Sequence, residues 1–222
     1  MQNMLRLVAS VTLVSSCALA PSGCRLFGGA APANAQFMLS PELPSAAPGP
    51  KLGSISIREF SAIAPFDMSA FVYRNTDGTW RADPYDGFVS EPTLMVASAL
   101  VAAFDASSRF DLVAYDSLAA RTDLLLEGII EDFHSDFSAA GAHESIVRLR
   151  VYISRRHGAH RGVVFASAVE GRAQIASQSP GAVADALSAA TGAALAKIVE
   201  ALPQGFPELA MQQGGERPAE KP

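Results

Sequence analysis

Residues 143–156 alternate more strictly than any other part of this 222-residue chain. Val147, Leu149, Val151 and Ile153 fall on one side of the segment, and Arg148, Arg150 and Tyr152 on the other. That period of two belongs to a strand with one buried and one wet face. A helix would scatter the same apolar residues around its circumference. The segment therefore commits the chain to a sheet that meets water on one side, the usual condition of antiparallel strands. Arg155-Arg156-His157-Gly158-Ala159-His160-Arg161 reads as a turn, and Val163 to Ile175 as the returning partner. Asp123 to Phe133 carries Leu124, Leu126, Gly128 and Ile130 on one face and Leu125 and Ile129 on the other, the pattern of a central strand covered on both sides.

Shorter strands are expected at Ser54–Arg58 and Phe110–Tyr115. Two helices complete the set. The first opens at Ser90 with Pro92 in its first turn, carries a stripe of Leu94, Ala97, Val101 and Phe104, and stops near Ser107-Ser108. The second begins with Ser179 as cap and Pro180 at the first helical position, and ends at Pro203. Its stripe is Val183, Leu187, Ala190, Ala194, Ile198 and Leu202, whose alanines call for close packing on the sheet. The fold class is α+β: a mixed, mostly antiparallel sheet of five to six strands with two long helices packed on one face.

Both cysteines, Cys17 and Cys24, lie in or beside the apolar N-terminal stretch, which leaves residues 25–222 without a thiol. The stretch from Leu7 to Val14 follows Arg6 and is too short to span a bilayer, as in a secretory signal. Val14-Ser15-Ser16-Cys17 fits a bacterial lipobox, with Cys17 taking the diacylglycerol; Cys24, after Pro21-Ser22-Gly23, is the alternative. Cleavage after Ala33-Asn34-Ala35 would instead yield a soluble protein. With Ala18 after Cys17 there is no aspartate of the inner-membrane retention type, which points to the outer membrane, facing the periplasm. Residues 1–24 are thus read as signal and lipobox, and 25–50 as an Ala-, Pro- and Gly-rich tether. Residues 51–203 form the folded domain and 204–222 a polar tail. Phe37 to Pro41 is a short apolar patch within the tether, placed to add an edge strand.

Between Met68 and Phe110 the residues follow a distinctive order. Phe71-Val72-Tyr73-Arg74 leads to the turn Asn75-Thr76-Asp77-Gly78, then Trp80, Asp83-Pro84-Tyr85, Phe88, and Ser90-Glu91-Pro92 opening an apolar helix. This order resembles the ABC-type transport auxiliary lipoprotein component family, of the paraquat-inducible protein C type, over roughly residues 37–203. The resemblance implies a non-enzymatic accessory lipoprotein. Its partners would be an ABC transporter permease, an ATPase and a mammalian-cell-entry-type subunit, in a system that moves phospholipid or other hydrophobic cargo across the envelope. A homo-oligomer is left open.

Other chemistries find little footing. His157 and His160 have a spacing two metal ligands share, but no cysteine completes a set, so no metal is expected. Asp132, His134 and Asp136 fall on one face of an extended chain, which suits acid–base work only inside a cleft. Neither Ser135 nor Ser145 sits in a nucleophile elbow, no glycine-rich phosphate loop is present, and no cofactor is expected. A net charge of −5 excludes bulk attraction to nucleic acid. What remains is the basic cluster Arg148, Arg150, Arg155, Arg156 and Arg161, either a solvated strand face or a docking surface for an acidic partner or for lipid phosphate groups. Tyr85 and Phe88 are either partner anchors or core aromatics. A second reading of the domain is a lipid carrier that holds an acyl chain between helices and sheet.

Overall fold

The computed structural model describes residues 34–115, 122–139, 143–157 and 160–206. Cys17, Cys24, the signal segment, most of the tether and the tail beyond 206 lie outside these residues, as do the side chains of Arg156, His157 and His160. The strands are β1 (Gln36–Phe37), β2 (Ser54–Ile57), β3 (Ser61–Ala62), β4 (Ala70–Arg74), β5 (Trp80–Phe88), β6 (Leu112–Tyr115), β7 (Leu124–Asp136), β8 (Glu144–His157) and β9 (His160–Gln174). The helices are α1 (Pro92–Ser107) and α2 (Pro180–Glu200).

Everything is arranged about β7, the strand whose sequence is apolar on both faces. Along one side runs β8, antiparallel for the full length, with β9 beyond it. The other side is shared by three short parallel strands in succession. β2 pairs at Leu124–Leu126, β3 at Ile129–Ile130 and β4 at Ser135–Asp136. β6 flanks β2, β5 flanks β4 antiparallel, and β1 flanks β5. The result is the expected α+β architecture, an open mixed sheet carrying two helices. It has nine strands because one side of β7 is divided among three pieces and because β1 and β3 are only two residues long.

Val147, Leu149, Val151 and Ile153 are wholly buried, and with Ile55, Ile57, Leu124, Leu126 and Ile130 they form the floor on which the helices sit. The six residues of the α2 stripe are all buried in the same cluster. Close approach is written into Gly171 of β9. A Cβ there would lie 1.8 Å from the Ala190 carbonyl oxygen of α2, so only glycine lets the helix backbone rest on the strand. Ser179 caps α2 as expected, accepting the Ala182 N–H.

The first helix departs from the sequence reading in two ways. Its cap position is Glu91, not Ser90, and no side chain caps it; Pro92 at the first position removes one of the N–H groups that would need a partner. Its buried face is also rotated. Thr93, Val96, Ala97, Leu100, Ala103, Phe104 and Ser107 point inward, Leu94 is exposed and Val101 is half-buried. Two buried hydroxyl residues concealed the true stripe, because Thr93 and Ser107 read as polar although Ser107 bonds the Phe104 carbonyl within the helix.

Residues 34–50, assigned by composition to the tether, are laid against the domain. Phe37 packs on Phe71 and Leu39 joins the core. Ser40 donates its N–H to Ser188 Oγ of α2, and Ala47 donates to the Ser107 carbonyl at the end of α1. Gly192 of α2 makes room for the strap, since a Cβ there would meet the Glu42 carbonyl at 2.9 Å. Arg109, buried at the foot of the helices, fastens the strap's far end. Its guanidinium donates to the carbonyls of Pro48, Pro50 and Pro203.

Candidate docking face

The sheet face away from the helices is where the charged candidates gather. On β8 the alternation carries Arg148 and Arg150 outward, as the sequence requires. On β7 it is interrupted, because the register shifts between Ile130 and Asp132 and leaves Glu131 as a bulge. An extra residue of this kind lets two neighbours in sequence serve one face. Glu131 and Asp132 both turn outward, where Glu131 meets Arg150 at 2.5 Å and Asp132 meets Arg148 at 2.6 Å. β9 adds Glu170, 2.6 Å from Arg148 and 2.6 Å from Arg172, and Arg172 reaches Glu144 on β8. The guanidiniums of Arg172 and Arg148 hold the Glu170 carboxyl down to about 2.

This face is therefore a lattice of alternating charge and not the basic patch that the run of arginines suggested. The neutralising carboxylates come from β7 and β9, and only the register shows that they stand opposite. Exposed pairs of this kind contribute little each, roughly 0.2–1 kcal/mol, so the lattice shapes the surface more than it stabilises the fold. Arg148 and Arg150 keep 44% and 43% of their side chains exposed. Arg155 donates to the Phe206 carbonyl and lies 5.9 Å from the centre of the Phe206 ring.

Tyr85 and Phe88 have separate fates. Asp83 accepts the N–H groups of Tyr85 and Asp86 and closes a small loop within β5, which carries the Tyr85 ring out to 50% exposure. Phe88, 2% exposed, packs edge-on against Phe71 and beside Phe133. It is a core aromatic and has no surface to offer a partner.

Asp132, His134 and Asp136 do share a face, but the acid–base reading fails on geometry. Asp132 is taken up by Arg148, and Asp136 by Arg74 at 3.3 Å and the Ser138 N–H at 2.7 Å. His134 is closed under Phe66 and Trp80. Ser135 and Ser145 bond each other at 2.8 Å across the buried side of the sheet. No group of three or more potential metal ligands occurs among the described residues.

Two hollows flank the strap. One, of about 710 Å³, lies between Met38–Ser45 and the small-residue side of α2. The other, of about 390 Å³, is lined by Met38, Leu43, Val89, Leu94, Ala99 and Ala102 among others, and has no titratable residue on its wall. A third, of about 560 Å³, opens between the β4–β5 turn and the start of α2, with Tyr73, Asp77, Asp83, Asp86 and His143 on its walls. Burial, and then the Asp83 carboxylate, push the Tyr73 hydroxyl well above its usual value.

A family model described as the ABC-type transport auxiliary lipoprotein component matches residues 37–199, from β1 through nearly all of α2. The chain belongs to this family. Its membership agrees with the resemblance carried by the β4–β5 hairpin and the opening of α1, and establishes the protein as an auxiliary lipoprotein of ABC-type transport. Among solved structures, the fold is similar to that of protein XCC0632 from Xanthomonas campestris. The TM-score is 0.64 at 20% identity, over 74% of this chain and 92% of that one. An uncharacterized protein aligns with a TM-score of 0.54 at 12% identity, over 72% of this chain and 98% of the other. At these identities the likeness is one of fold. No curated protein matches the chain in sequence.

Proposed function

We propose that this auxiliary lipoprotein is non-enzymatic. In this reading it is held in the outer membrane by acyl chains on Cys17, or on Cys24, and faces the periplasm. There it docks on a mammalian-cell-entry-type subunit that works with a permease and an ATPase to move phospholipid or another hydrophobic cargo. The observation that carries the proposal is the family match, which spans the folded region from the first strand to the last helix. The closed environment of His134 and the ion-paired state of Asp132 and Asp136 support a role without catalysis.

For docking we propose the charged sheet face, with Arg148 and Arg150 on β8 and the exposed ring of Tyr85 at the hairpin; Arg155, opposite Leu124 and set against Phe206, lies on the helix side. A surface that alternates in sign favours a partner of complementary alternation and disfavours others through like-charge contacts. The carrier reading gains nothing from the packing. Between α2 and β9 the backbones touch at Gly171, and the residues on the floor are wholly buried. Replacing Arg148 and Arg150 together with glutamine removes two of the face's cations and, among the described residues, leaves Glu131, Asp132 and Glu170 balanced there only by Arg172. Recovery of transporter subunits with the tagged full-length protein should then fall several-fold while the protein stays folded, its melting temperature lowered by only a few degrees through the loss of three exposed pairs. Undiminished recovery would take this face out of the docking surface.

A further inference from the structure

Trp80 is the only tryptophan in the chain, and it covers a histidine. His134 stands on the charged face of the sheet yet is 5% exposed, because two aromatic rings roof it. The indole of Trp80 meets the imidazole edge-on at 4.7 Å, and Phe66 stacks on it at 5.7 Å. The two roofing rings touch each other at 6.0 Å. Trp80 itself, at the start of β5, remains 48% exposed, so the roof is one ring thick.

Under this roof His134 Nδ1 is buried and has no hydrogen-bond partner. Asp132 Oδ1 lies 3.8 Å away, beyond bonding distance. The charged groups around the ring are Asp132 and Asp136 on its own strand, Arg74 on β4 and Arg148 on β8. The directly opposed residue of β8 is the buried Ile146, and the roof contributes only Trp80 and Phe66. Each carboxylate is already bound, Asp132 to Arg148 and Asp136 to Arg74. A proton arriving on Nδ1 would thus place a cation beneath two apolar rings, with its nearest carboxylate engaged elsewhere.

We infer that His134 and Trp80 form an acid-operated latch: neutral His134 lets the β4–β5 hairpin close over the sheet, and protonated His134 releases it. The imidazolium is relieved by water entering as Trp80 lifts, and the site is reached by opening the end of one hairpin. Burial holds the imidazole below its ordinary value of 6.5, against the pull of Asp132 and Asp136. The folded chain therefore binds this proton more weakly than the unfolded chain. The stability it contributes is complete above about 6.5 and falls as the pH drops from there toward the lower folded value. The latch does not depend on the transport role, and its failure would leave that role untouched.

The test uses the full-length protein. Because Trp80 is the sole indole, its emission reports the roof alone. Between pH 7.5 and 4.5 the wild-type protein should show one reversible transition in Trp80 emission, with its midpoint below 6.5 and with a loss of amide protection along β4 and β5, measured against the exchange rate of unstructured chain at each pH. His134→Gln should abolish both changes while leaving His143, His157 and His160 in place. Should that variant fold poorly, histidine ring resonances of the wild-type protein, followed by NMR over the same range, give the His134 titration directly. A midpoint matching the emission change upholds the latch. It is overturned if emission and amide protection are flat across the range, if they change equally in His134→Gln, or if His134 titrates without disturbing Trp80.

Discussion

Single residues decide how closely this protein can pack, and three of them make separable predictions. Gly171→Ala places a methyl against the Ala190 carbonyl, so α2 must move off β9; overpacking of this sort costs about 1–3 kcal/mol or more, readable by urea denaturation. Gly78→Ala, at a turn with φ of 80° and open space around it, should cost only the smaller penalty of a left-handed alanine, about 1 kcal/mol. Arg109 is buried without a carboxylate and bonds three carbonyls from two distant segments. Arg109→Met should cost about 2–3 kcal/mol through the unpaired carbonyls, and Arg109→Lys should recover little, because an ammonium cannot span the fork. Glu170 gives a pH signature of its own. Its folded value of about 2 lies below the ordinary 4.5, so the stability it lends is present above 4.5 and is lost as the pH falls from 4.5 through about 2. Acid melts of Glu170→Gln should be flatter across that window than those of the wild type. Arg109 went unnoticed in the sequence because a lone arginine beside an aromatic carries no pattern; its partners are backbone atoms 59 to 94 residues away.

Elements were legible wherever their period was uninterrupted. On β8 and α2 every apolar residue that the alternation and the stripe name is buried, although α2 also buries Ser188, Gly192 and Leu195 and β8 also buries Ile146. Legibility fails at irregularities. The bulge at Glu131 inverts the pleat of β7, so Asp132 and Phe133 exchange the faces an unbroken strand would give them. At Asp83–Gly87 the residues read as a break, yet β5 continues past them because the Asp83 carboxylate holds the looped N–H groups and β4 picks up pairing again at Gly87. Capping offers a direct comparison between the two helices. Ser179→Ala should destabilise by about 1 kcal/mol through loss of the bond to Ala182, whereas Ser90→Ala should stay within about 0.5 kcal/mol, since that side chain caps nothing. Equal losses in both variants, measured by thermal melts, would contradict the assignment of Glu91 as the cap position.

At the scale of the whole molecule, the fold reaches further toward the N-terminus than composition allows one to see. Proline, alanine and serine give residues 34–50 the look of a linker, but their packing rests on backbone bonds to the helix ends and on the small residues of α2, which hydropathy does not register. With the anchor proposed at Cys17, about 18 residues separate it from Gln36, at most about 60 Å of chain. A protein lacking residues 34–50 should melt several degrees lower, because it uncovers Leu39's site in the core, takes the Ser40 N–H from Ser188 and leaves Arg109 with the Pro203 carbonyl in place of three. The proposed docking face was only half legible: Arg148 and Arg150 could be placed on one strand face, but their carboxylate partners required the register of β7 and β9. We propose that this chain is a lipid-anchored accessory to a transporter. That role is tested most directly by mass spectrometry of proteins that co-purify with the tagged full-length protein from gently crosslinked membranes, beside a Cys17→Ser, Cys24→Ser control. A permease, an ATPase and a cell-entry-type subunit should be enriched, and the enrichment should be lost in the control. A membrane-localised sample that recovers none of them would contradict that role.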